Sequence, residues 1–143
     1  MTDEGWLVGA KRGPRQFGPV SQTDIVRFAG ASGDLTPTHH DEQAARAAGF
    51  PTVFAMGMFQ ASILATCAFE WMRPGQVKRY SVRFVEKVWP GDILTCTGQI
   101  SSVVDRDGGS IVCLSLECRA SGVHTRQGVD SLVLTGSAEF WIY

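Results

Sequence analysis

An acid and an imidazole stand five residues apart in the run Ser32-Gly33-Asp34-Leu35-Thr36-Pro37-Thr38-His39-His40-Asp41. Pro37 holds its own φ and biases Thr36 toward extended backbone, so the chain between Asp34 and His39 is expected to run extended. A carboxylate and an imidazole placed this way can flank one water and move protons to and from it, since a free imidazole titrates near pH ~6.5. The same residues also read as ordinary loop chemistry, with Asp34 capping a turn and His39 on a loop surface.

A second chemical feature is Gly57, which opens a long apolar run. The first backbone N–H groups of a helix lack intrahelical partners and sit at the positive end of its dipole, so Gly57 N–H can meet a developing negative oxygen. A missing Cβ permits close approach, or else serves a tight packing against a neighbouring sheet. Beside it, Met56 and Met58 are adaptable wall residues for a binding pocket. Ser62, farther along the helix, can face that pocket or bond back to the chain. His40 lies between His39 and Asp41, but adjacent histidines point in different directions and His124 is far along the chain. No metal centre is expected from them.

The elements that must position these groups are legible from period and punctuation. Thr23, followed by Asp24, marks the start of a short helix ending near Gly30 or Gly33. Asp41 caps a second helix over 42–48, closed by Gly49. From Gly57 to Met72 almost every residue is apolar or small, which describes a helix covered on nearly all sides and stopped by Arg73-Pro74-Gly75. Four β segments follow, over 77–88, 93–104, 110–119 and 129–143, separated by turns at Pro90-Gly91-Asp92, Asp107-Gly108-Gly109 and 122–128. Such short connections make hairpins, so the sheet is antiparallel, and only the helix over 57–72 has enough apolar surface to cover it. The expected class is α+β: an antiparallel sheet wrapped around one buried helix, the arrangement called a hot-dog fold.

With 143 residues, 44% apolar and 19% charged, the chain suits one domain with a core of its own. Residues 1–17 show no period and read as an N-terminal lead-in, leaving 18–143 as the domain. A net charge of -1 without a basic block gives nucleic acid no footprint. The apolar helix is too short for a bilayer and is interrupted by Gln60 and Glu70, so no membrane span is expected. The acidic start is unlike a secretory signal, which points to a cytoplasmic protein. Cys67, Cys96, Cys113 and Cys118, at spacings of 29, 17 and 5, match no paired metal-ligand pattern and are expected to be reduced packing residues.

The run from Ser32 to Asp41 closely resembles the signature of the MaoC-like dehydratases, the (R)-specific enoyl-CoA hydratases of hot-dog fold. Phe54-Ala55-Met56-Gly57-Met58, Arg83-Phe84 and Val88-Trp89-Pro90-Gly91-Asp92 resemble that family too. The chain departs from it at Thr36, where the family often has Asn, and at Met56, where it often has His. The resemblance implies a hydro-lyase that reversibly adds water to a trans-2-enoyl thioester, giving the (3R)-3-hydroxyacyl thioester. Asp34 and His39 would hold the water, and Gly57 N–H would meet the enolate oxygen. Met56, Met58, Ser62 and Arg83 are the candidate substrate-binding residues. Lys78, Arg79, Arg83 and Lys87 either meet the phosphates of a coenzyme A carrier or form a solvated face. No cofactor is implied beyond coenzyme A, or the phosphopantetheine arm of an acyl carrier protein, as part of the substrate.

Two other readings compete. One is a non-catalytic acyl-thioester-binding subunit that completes another chain's site. The other is a hot-dog thioesterase, for which Glu70 is the only acid on the central helix. An uncovered edge strand favours pairing, as a homodimer or as a heterodimer with a related chain.

Overall fold

The computed structural model describes residues 6–125 and 130–143. The acidic start over 1–5, the far part of the expected turn over 122–128, and residue 129 of the last expected strand lie outside the described residues. The elements run β1 (Lys11–Phe17), α1 (Gln22–Ser32), a 3₁₀ turn (Pro37–His39), α2 (Glu42–Ala47), α3 (Gly57–Trp71), β2 (Gln76–Phe84), β3 (Ile93–Arg106), β4 (Gly109–Ser121) and β5 (Ser131–Ile142). All five strands join one antiparallel sheet in the order β1-β3-β4-β5-β2. α3 lies against every strand of it, so the architecture is α+β with the hot-dog arrangement.

The core forms where the inward residues of the sheet meet α3. β3 and β4 alternate buried and less buried positions with the period of a one-faced strand, placing Leu94, Cys96 and Ile100 opposite Ala120, Cys118 and Leu114. Leu64, Cys67 and Ala68 of α3 pack onto that surface together with Leu116, Leu134 and Phe140. Each fully buried leucine of this kind contributes roughly 1.5–3 kcal/mol. The Tyr80 hydroxyl donates to the Ala61 carbonyl at 2.7 Å, tying β2 to the helix. Cys96 and Cys118 face each other across the strands, and all four cysteines are free thiols. The hydrogen bond with Cys118, and then burial, push the Cys96 thiol up to about 12, so it stays protonated and packs as a small apolar group.

Three details differ from the sequence expectations. The lead-in carries a strand: β1 pairs with β3 from Lys11↔Gln99 to Phe17↔Leu94, with a register shift at Gly13-Pro14. An edge strand needs backbone partners on one side only, so its mostly exposed side chains carry no alternation to read. The cap of α1 is Ser21, not Thr23. Ser21 Oγ accepts from Asp24 N–H at 3.0 Å and Asp24 Oδ2 accepts from Ser21 N–H at 2.8 Å, a reciprocal box that needs its acid three residues past the cap. Finally, α3 is not covered all round, because Met58 is 55% and Phe69 44% exposed.

Candidate active site

Gly33, at φ 75°, ends α1 and turns the chain into the loop that bears the acid. Asp34 Oδ1 accepts from the Thr36 hydroxyl at 2.7 Å and from Thr36 N–H at 3.3 Å. These two bonds, with a smaller contribution from the nearby His39, hold the Asp34 carboxyl below the ordinary carboxylate range. Thr36 is extended, as a residue before proline should be, at ψ 123°. The segment after it does not stay extended: Pro37–His39 closes a 3₁₀ turn, with Pro37 in the first position and His40 N–H donating back to Pro37 at 3.1 Å. That turn brings His39 back over Asp34 and buries it to 7% exposure.

The segment before α3 receives the imidazole. Phe54 N–H donates to Thr38 O at 3.3 Å and Ala55 N–H to Val88 O at 2.8 Å, which pins this stretch between loop and sheet. His39 Nδ1 lies 2.7 Å from the Phe54 carbonyl, and its ring stands edge-on to the Phe54 ring with centroids 5.1 Å apart. A carbonyl only accepts, so Nδ1 carries the proton and Nε2 of the neutral ring keeps a lone pair. Nε2 is 3.8 Å from Asp34 Oδ2, beyond direct hydrogen bonding. With the ring neutral, two acceptors face each other at the rim of one pocket.

That pocket, about 370 Å³, is walled by Asp34, His39, Met56, Gly57, Gln60 and Phe84, among others. Gly57 is the first residue of α3, and Met56 before it supplies no side-chain cap. Gly57 N–H thus begins the helix without a cap from Met56, at a residue that lines the cavity. Gly57 also has a steric reason to be glycine: a Cβ there would lie 2.8–3.2 Å from three atoms of the Phe84 ring. Lys87 lines the same pocket and holds its ammonium 5.2 and 5.5 Å from the Phe50 and Phe54 ring centroids.

Of the residues singled out in sequence, Asp34, His39, Met56 and Gly57 come together here. Met58, Ser62 and Arg83 do not. Met58 is exposed and is not among the walls of this pocket, the Ser62 hydroxyl donates back to Met58 O at 2.7 Å, and Arg83 sits exposed on β2 opposite Thr135. Phe59, next to Met58, packs edge-on to Phe17 and Phe28. Glu70 pairs with Arg15, and neither lines the pocket of Asp34 and His39, which removes the acid a thioesterase reading would use there. His40 turns Nε2 to Leu35 O at 3.2 Å, away from the dyad. Gln60 and Phe54 were missed. A lone amide three residues past Gly57 shares its helical face, which was the available signal for Gln60. Nothing local marks a carbonyl such as that of Phe54.

Comparison with known proteins gives the family of the chain. A family described as the MaoC like domain matches residues 5–116. An (R)-specific enoyl-CoA hydratase of Rhodospirillum rubrum is 33% identical over 117 residues, covering 80% of each chain. A 3-hydroxyacyl-thioester dehydratase X of Mycobacterium tuberculosis is 41% identical over 91 residues, 63% of this chain but 30% of that longer protein. The fold superposes on a chain of the ChsH1-ChsH2 complex of Mycobacterium tuberculosis with TM-score 0.79 and 21% identity, over 96% of this chain and 98% of that one. A chain whose acid, imidazole and glycine-headed helix converge on one pocket, and most of whose length matches this family, belongs to the MaoC-like hydratases and dehydratases.

Proposed function

We propose that the protein catalyses the reversible hydration of a trans-2-enoyl thioester to the (3R)-3-hydroxyacyl thioester. The observation that carries this reading is the pairing of two acceptors, His39 Nε2 and Asp34 Oδ2, 3.8 Å apart at the mouth of a pocket headed by the start of α3. A water beside them donates one hydrogen to each acceptor, which leaves its lone pair free to attack C3. As the C–O bond forms, one proton passes to the dyad. The π electrons of the C2–C3 bond shift toward the thioester, and the negative charge gathers on its oxygen. Gly57 N–H, at the positive end of α3, stabilises that oxygen; loss of one such donor typically costs ~10²-fold in rate. The dyad then returns a proton to C2 on the same face, so atoms and charge balance and no external group is needed.

Division of labour follows from the hydrogen bonds. Asp34, held below the ordinary carboxylate range by Thr36, is a weak base and serves as a fixed acceptor. His39, with Nε2 unprotonated, takes and returns the proton. Coenzyme A or a phosphopantetheine arm forms part of the substrate, and the chain charge of -1 favours neither carrier strongly.

The reading includes a two-fold assembly. β1 and β2 are the edges of the sheet, and β2 with its exit exposes Val77, Phe84 and Val85. An apolar, unpaired edge of this kind is satisfied by a second copy or a related chain. The test is loss of enoyl absorbance when the purified chain meets crotonyl-coenzyme A and a longer trans-2-enoyl-coenzyme A, alongside the Asp34→Asn protein. Hydration abolished by that substitution supports the proposal. Equal rates in both proteins overturn it.

A further inference from the structure

Gln60 is the only polar side chain among the buried residues of α3, 2% exposed between Phe59 and Ala61. Its Oε1 is sealed from solvent and has no hydrogen-bond partner among the described residues. The side chain is nevertheless a wall of the pocket that holds Asp34, His39 and Gly57. An amide carries two donors and an acceptor, and burying its oxygen unpaired is unfavourable unless an occupant, after a turn of the amide, supplies a partner. The terminal torsion of glutamine is broad and two-fold, so oxygen and NH₂ exchange places readily and either can turn to the pocket.

The surroundings make the amide specific in its demand. Phe59, Ala61 and Leu64 beside it are apolar, and a leucine or methionine at this position would give an alkyl-lined wall of similar volume. Gln60 lies three residues past Gly57 on the same helical face, about 4.5 Å farther along the axis. Its side chain leans back toward the helix start, so a thioester oxygen at Gly57 N–H sets the acyl chain beside the carboxamide.

We propose that Gln60 selects acyl thioesters whose acyl group carries an oxygen function, a hydroxyl or a carbonyl, within reach of its carboxamide, over plain alkyl chains. This rests on the acyl-thioester reading of the site and names its substrate class. A plain alkyl tail closes the pocket over an unpaired amide, whereas an oxygen function completes it. Sites built around a buried hydrogen-bonding group reject analogues that lack the partner, so a preference of about tenfold or more is expected.

Binding, not turnover, tests this. Hexanoyl-, 5-oxohexanoyl- and 6-hydroxyhexanoyl-coenzyme A are saturated and cannot be hydrated. Their Kd values are measured by titration calorimetry for the wild-type protein and for Gln60→Met, whose melting temperature is recorded beside them. At least one oxygenated thioester should bind the wild type about tenfold more tightly than hexanoyl-coenzyme A, and Gln60→Met should erase or invert that ratio while melting no lower. A wild-type preference for hexanoyl-coenzyme A overturns the inference without any variant. So does an unchanged ratio in Gln60→Met, or an equal weakening of all three ligands, which would put the amide on the thioester itself; in each case the acyl-thioester reading stands. Failure of the wild type to bind any of the three overturns that reading and this inference together.

Discussion

His39 Nδ1–H donates to the Phe54 carbonyl at 2.7 Å, and this bond decides which ring nitrogen is available for chemistry. The donor is committed to a backbone carbonyl, so Nε2 is the acceptor that faces Asp34. Asparagine at position 39 separates the two roles, since its side-chain NH₂ sits near where Nδ1 does and can still meet Phe54 O. His39→Asn is expected to melt within a few degrees of wild type and to lose about 10²-fold or more in kcat/KM. Thermal melting and the enoyl absorbance assay check it together. A variant retaining most of its rate would show that Nε2 carries no proton.

Thr36 holds Asp34 through both its hydroxyl and its N–H. Thr36→Val keeps the shape and the N–H but removes the hydroxyl bond, the largest cause of the lowered Asp34 value. The Asp34 carboxyl should then ionise at higher pH. The side-chain carboxyl ¹³C shift of Asp34 should titrate at higher pH, and kcat/KM should fall about tenfold as the carboxylate loses its fixed direction. Thr36→Ser restores the hydroxyl and should restore both. A carboxyl titration and a rate in which Thr36→Val and Thr36→Ser behave alike would remove Thr36 from the site.

Asp92 shows the opposite perturbation. It is fully buried, accepts from Trp89 N–H at 2.9 Å through Oδ2, and leaves Oδ1 unpartnered among the described residues. Burial raises its carboxyl above the ordinary range, only partly offset by the Trp89 N–H and His124. Unfolded, the group ionises near ~3.9, so the folded state holds a proton over a window in which the unfolded state has lost it. Its contribution to stability is full below that unfolded value and is lost as pH rises through the folded one. Asp92→Asn keeps an acceptor for Trp89 N–H and does not titrate. Its melting temperature should gain on wild type by a few degrees between pH 4 and pH 8. A constant difference across that range would show that Asp92 does not titrate differently on folding.

These particulars show what a one-dimensional reading reaches. β3, β4 and α3 are legible because each buries one side, and burial writes a period into the sequence. Asp34, His39 and Gly57 are legible because their chemistry needs particular residue types at particular spacing. β1 is not: Lys11–Phe17 forms through backbone bonds to β3 and leaves its side chains mostly in water. The Phe54 carbonyl is not either, since any residue supplies one. Ser62 read as a pocket residue because a hydroxyl on an apolar helix is conspicuous, yet its bond to Met58 O satisfies it locally.

Gly57 carries two roles that one experiment can separate. Its missing Cβ admits the Phe84 ring, and its N–H is an uncapped donor at the head of α3. Gly57→Ala alone brings a Cβ to 2.8–3.2 Å of that ring and should destabilise by about 1–3 kcal/mol through overpacking. Combining it with Phe84→Ala relieves the clash and recovers most of that loss, leaving the N–H in place. Gly57→Pro in the same Phe84→Ala background removes the N–H at the first helical position, where proline is tolerated, and Met56 at ψ 148° already has the backbone a following proline requires. The two double variants should therefore melt alike. If the N–H meets the enolate oxygen, the proline variant should hydrate crotonyl-coenzyme A about 10²-fold more slowly than the alanine variant. Equal rates at equal stability would leave Gly57 with the steric role alone.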